Sequence, residues 1–184
     1  MTGVVSTPVV VERPRRFPAR VEEALERRKH QAAGRLRGRV LDLDDPAARQ
    51  EVARAVAERH VVPAYDGVVS VGQLVRFPDL VAALRAIDRL VDPDGELVLV
   101  EPCAGPGFAQ LLIDSLWAPT PWVAGFHVSR AITPALRTTG FVLNDIERFV
   151  MPTIVSPLRH GVEVHAAKAP AEVHHEEASV EVSP

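Results

Sequence analysis

The sequence predicts a doubly wound α/β domain whose parallel sheet ends in an antiparallel strand pair. Three observations predict it. Residues 65–71 (YDGVVSV) and 97–100 (LVLV) are apolar runs of strand length, apolar enough to be buried on both faces. Between them, Leu80, Ala83, Leu84, Ile87 and Leu90 recur at the three-and-four spacing of a helix with one buried stripe. Near the end, residues 141–149 and 161–167 (GVEVHAA) read as two strands, the second strictly alternating, which suits an antiparallel pair.

The elements follow in order. Residues 1–18 mix Pro, Val and Arg without a lasting period and are expected to form a mobile arm. Residues 19–33 read as a charged helix, with Val21 and Leu25 four apart on one face. Residues 39–43 (RVLDL) form a short strand. Asp45 and Pro46 mark a helix start, the first as N-cap and the second at the first helical position. The helix continues over 47–60, with Val52, Ala55 and Val56 expected on its inner side. Asp92-Pro93-Asp94-Gly95 is a turn before the third strand. Two strand–helix–strand units in succession imply parallel strands joined by right-handed crossovers. Residues 108–116 and 132–139 read as helices. Residues 169–184 carry Glu172, Glu176, Glu177 and Glu181 and no large apolar side chain, so a disordered acidic tail is expected. The domain proper is therefore 19–168.

Composition removes several classes. With 184 residues, 47% of them hydrophobic, the chain can bury one core of ordinary size. No stretch approaches the roughly 18 apolar residues of a membrane span. Pro8, Glu12 and Pro14 interrupt the N-terminal valines, so no secretory leader is expected and the chain reads as cytoplasmic, with no membrane partner. A net charge of −3 leaves no electrostatic footprint for nucleic acid. The one cysteine, Cys103, excludes an internal disulfide framework. His174 and His175 lack a fixed third ligand, so no metal site is expected.

From Tyr65 onward the order of features resembles class I S-adenosylmethionine-dependent methyltransferases. Asp66 leads a strand, Pro78-Asp79 closes the following loop, Arg89, Leu90, Pro93 and Gly95 fit the end of the helix, and Glu101 ends the next strand. Asp94 stands where the family has its first glycine of that turn. Trp117, His127, Arg130, Leu136, Gly140-Phe141 and Glu147-Arg148-Phe149 are similar to the C-terminal half of the small bacterial type 11 enzymes. The resemblance spans residues 38–170. It implies a Rossmann-like methyltransferase fold with strands ordered three, two, one, four, five, seven, six, and S-adenosylmethionine as cofactor.

The first half departs from that pattern. The family's first strand runs into a glycine-rich loop, because glycines let the backbone turn at positive φ and approach the cofactor without a Cβ. Here Asp42 supplies the strand's acid, but Asp44, Pro46 and Ala48 hold the glycine positions. Only 19 residues separate Asp45 from Tyr65, enough for one helix. A βαβ unit takes about 30 residues, so the family's second and third strands are expected to be missing. The sheet is thus a reduced one, with residues 39–43 at its edge. Such an edge invites pairing unless it is guarded, and a homodimer or heteromer through it is expected.

The candidate cofactor-binding residues are Asp42, Asp44, Ser70, Gly72 and Gln73, all at strand ends where such folds bind ligands. His127 and Arg130 are the catalytic candidates, the His as general base for a methyl acceptor. Trp117 and Trp122 could close an apolar acceptor pocket, and Cys103 reads as an inert thiol. Methyl transfer depends on holding acceptor and sulfonium in line. The first expectation is therefore a methyltransferase-like protein, degenerate in S-adenosylmethionine binding, acting as a noncatalytic partner or regulator. The second is an active methyltransferase of a small acceptor, with its cofactor bound in an altered pose or its site completed by oligomerisation. The third is a binding module for a small apolar ligand held between Ser70, Glu101 and His127.

Overall fold

The computed structural model describes residues 17–58, 60–103, 105, 112, 116, 127 and 131–169, the side chain of Ser156 excepted. The elements are α1 (Ala19–Ala33), β1 (Val40–Asp42), α2 (Pro46–Ala57), β2 (Tyr65–Val71), α3 (Leu80–Leu90), β3 (Val91–Pro102), α4 (Ile132–Arg137), β4 (Phe141–Val150) and β5 (His160–Lys168). Short 3-10 turns lie at Leu74–Arg76 and Ser156–Leu158.

Local signals place the helix starts. Asp45 caps α2 by accepting the Ala47 N–H at 2.8 Å, with Pro46 in the first turn. Asp79 caps α3 by accepting the Ala82 N–H at 2.9 Å. The helix expected over 47–60 ends at Ala57, and Val56 turns outward, 40% exposed, while Val52 and Ala55 are buried. The helix expected over 132–139 ends at Arg137, and the strand over 39–43 narrows to three residues.

The sheet has five strands in the order β1-β2-β3-β5-β4. β1, β2 and β3 are parallel, and β5 pairs antiparallel with both β3 and β4. The antiparallel end is therefore one reversed strand between two that share a direction. The turn expected at 92–95 is an excursion inside β3: Tyr65 pairs with Val91 but Gly67 with Glu96, so four residues stand opposite Asp66 alone. Residues 46–64 hold α2 and a link, with no strand among those described.

Helices cover both faces. On one, α2, α3 and α4 pack Val52, Ala83, Leu84, Ile87 and Leu136 against Leu41, Val68, Leu97, Leu99 and Val164. On the other, α1 and the segment 151–158 pack Val21, Leu25, Met151 and Leu158 against Val69, Val71, Val98 and Val100. Phe17, within the arm expected to end at 18, belongs to this core and is 6% exposed. Two adjacent cations of α1 reach opposite sides of the sheet. Lys29 bonds Asp42 and Asp44 at the β1 side, while Arg28 lies over Phe149 and bonds Glu147 and Glu163 at the β4–β5 side.

Candidate functional site

The C-terminal ends of β1 and β2 form the corner where the sequence placed a cofactor. The peptide N–H groups of Leu43, Asp44, Asp45, Ala47 and Arg49 in the β1–α2 turn are spent inside the protein. Leu43 N–H goes to Val69 O at 2.9 Å, Asp44 N–H to the Asp42 carboxylate at 2.9 Å, and Asp45 N–H to Asp42 O at 3.0 Å. Ala47 N–H goes to the Asp45 side chain at 2.8 Å and Arg49 N–H to Asp45 O at 3.2 Å. Pro46 has no N–H to offer. Among the described residues only Gly38, Gly72 and Gly140 have positive φ, so the turn makes no left-handed bend.

Side chains fill the same corner. Arg49, 7% exposed, donates to Leu43 O at 2.5 Å, Asp44 O at 2.9 Å and Gln73 Oε1 at 3.2 Å. Gln73 Nε2 donates to Asp44 Oδ1 at 2.8 Å and Val71 O at 3.2 Å. Lys29 Nζ donates to Asp42 at 2.7 Å and Asp44 at 2.5 Å. Burial lowers the Lys29 pKa, but the bonds to Asp42 and Asp44 outweigh it and the net direction is up. Asp42, Asp44 and Gln73 thus come together around the protein's own cations.

Ser70 and Gly72 have internal partners as well. Ser70 and Glu101 are fully buried and hydrogen-bonded through Ser70 Oγ to Glu101 Oε1. The same oxygen accepts the N–H groups of Gln73 at 3.0 Å and Leu74 at 3.1 Å, so Glu101 pins the strand-to-helix connection. Its Oε2 has no hydrogen-bond partner among the described residues. Burial pushes the Glu101 carboxyl up to about 7, against the lowering effect of Ser70 and the backbone donors. Gly72 turns at φ +62°, and a Cβ there would meet Phe17 Cε2 at 2.5 Å. Its N–H donates to Val100 O at 2.9 Å. The backbone of His127 donates to Val75 O at 2.7 Å and the residue is exposed. Arg130, Trp117, Trp122, His174 and His175 lie outside the described residues.

Topology reinforces the closure. In an open α/β sheet, ligands sit where adjacent loops leave the sheet toward opposite faces. Here β1, β2 and β3 follow one another in space and in sequence, and α2 and α3 pack on the same face. No reversal separates β1 from β2. Sequence reading had the length deficit before Tyr65 but not this consequence, and nothing local marked Arg49 out from its helix.

At the other side of the same sheet edge the described residues leave room. A cavity of about 200 Å³ lies beyond the end of β3, lined by Cys103, Ile132, Thr133, Pro134, Arg148 and Val162 among others. Burial raises the Cys103 pKa and the nearby Arg148 charge partly offsets it. Arg148 reaches this side through a bulge. The β4 register shifts between Leu143 and Asp145, which leaves Asn144 unpaired. Leu143 and Arg148 therefore face the same side, opposite Ala166 and Val162, although one is five residues from the other.

No protein-family model matches the chain, and no curated protein matches it. Solved structures do. The YcgJ protein of Bacillus subtilis has a TM-score of 0.57 at 13% identity, over 80% of this chain and 99% of its own. An S-adenosylmethionine-dependent methyltransferase of Thermotoga maritima has a TM-score of 0.52 at 13% identity, over 80% and 90%. The cyclase SpnF has a TM-score of 0.54 at 14% identity, over 81% of each chain. The chain has the Rossmann-like class I methyltransferase fold, its five described strands running parallel and then antiparallel.

Proposed function

We propose that this methyltransferase-fold protein does not hold S-adenosylmethionine in the family's manner and acts as a noncatalytic partner or regulator. The carrying observation is the closed corner between β1 and β2. A cofactor cradle needs backbone donors facing the ligand and room for its carboxylate and ribose. In this turn the traced donors are consumed internally, Asp42 and Asp44 present negative charge, and Arg49 with Gln73 takes up the space. The residues present do not fit the group. The fold by itself does not decide the chemistry, since a cyclase of the same likeness uses it.

Isothermal titration with S-adenosylmethionine and S-adenosylhomocysteine tests this reading. The expected result is no measurable heat of binding; micromolar affinity for either would overturn it. Placing glycine together at Asp44, Pro46 and Ala48 is expected to leave binding absent, because the adenosine side of the cradle would need strands absent from the described sheet. The same reading makes β1, at the edge of the described sheet, a pairing strand for a second copy of the chain. Sedimentation as a dimer at micromolar concentration supports that pairing, and sedimentation as a monomer removes it.

A further inference from the structure

We propose that the cavity beyond β3 is a binding site for a small organic anion, a carboxylate on an apolar ring or branched chain of about benzoate size. Size comes first. A volume of about 200 Å³ exceeds the roughly 150 Å³ of an apolar cavity that takes up benzene and falls short of a drug-sized pocket. The walls set the second property. Ile132, Pro134 and Val162 offer an apolar surface, and Thr133 adds a polar group. Charge sets the third. Arg148 lines the cavity, and among the described residues no carboxylate pairs with it. The acids nearest to it in the ladder, Glu147 and Glu163, belong to the opposite face and are both taken by Arg28. A guanidinium at the rim of an apolar cavity is suited to a carboxylate that arrives with its own apolar body.

Cys103 makes the site measurable, because it lines the cavity and is the chain's one cysteine. Its alkylation by iodoacetamide reports occupancy directly. Benzoate is expected to slow alkylation saturably, while benzyl alcohol, of similar size and uncharged, protects with roughly tenfold weaker affinity. R148Q is expected to bring benzoate down to the level of the alcohol, with the rate in each variant compared with and without ligand. V162F fills the cavity and should abolish protection by both. Absence of protection by benzoate at millimolar concentration overturns the proposal. Equal protection by benzoate and benzyl alcohol in the unmodified protein overturns the assignment to an anion. Both outcomes are independent of cofactor binding at the β1–β2 corner.

Discussion

Two corners of one sheet edge have had opposite fates in this chain. At the ends of β1 and β2, three cations or amides (Lys29, Arg49 and Gln73) meet two acids and several carbonyls, and the groups satisfy one another. At the ends of β3 and β4, Arg148 stands over an apolar cavity with no acid paired to it among the described residues. Buried polar groups stabilise a fold only when their bonds are complete, so the first corner reads as structure. The second leaves a charge beside free volume among the described residues, as the proposed binding site requires. The order of the described strands accounts for the difference. The first crossover goes directly to β2 and α2 joins α3 on one face, so no crevice between diverging loops forms between β1 and β2.

The contrast can be broken by substitution. Arg49→Met removes the centre of the closed corner and leaves the carbonyls of Leu43 and Asp44 without their donor. Urea unfolding is expected to show a loss of about 3 kcal/mol; a loss under about 1 kcal/mol would mean that the corner is not sealed by this network.

Glu101 tests the same region through pH. Its carboxyl is raised in the native state from an ordinary 4.5 to about 7. Between those values the folded protein keeps a proton that the unfolded chain has released. Its stabilising effect is therefore complete below about pH 4.5 and is lost as pH rises through about 7, on the order of 3 kcal/mol in all. Glu101→Gln should flatten thermal stability across that window. An unchanged pH profile in the variant would contradict the assignment.

Lys29→Met is expected to cost about 1 kcal/mol, with the cost shrinking at high salt because the ion pairs are partly exposed. Chemical unfolding at low and high ionic strength checks this. The smallest effect belongs to the open corner: Arg148→Gln should change stability by less than about 0.5 kcal/mol. A larger loss would make Arg148 a structural residue and erase the contrast.

Much of the fold was legible because its signals are local. Asp45-Pro46 acts on its own helix turn, and the stripe from Leu80 to Leu90 needs only helical geometry to declare its buried face. The span of β2 followed from its composition alone. The site was less legible because it depends on register. Asp42, Asp44 and Gln73 could be placed at strand ends, but that Lys29 and Arg49 would fill the space between them depends on packing of α1 and α2. The partnership of Cys103 with Arg148 depends on two ladders and on the bulge at Asn144, without which simple alternation puts Arg148 on the wrong face. Periodicity cannot see a bulge before the strands are paired.

We propose that ligands bind beyond β3 and not at the β1–β2 corner. Amide NMR of the isotopically labelled full chain tests both halves at once, with S-adenosylhomocysteine and benzoate added separately. The account predicts that S-adenosylhomocysteine leaves the amides of Asp42, Asp44, Gly72 and Gln73 unmoved, while benzoate shifts those of Cys103, Thr133, Arg148 and Val162. Saturable shifts at Asp44 and Gln73 with S-adenosylhomocysteine, and none around Cys103 with benzoate, would contradict it.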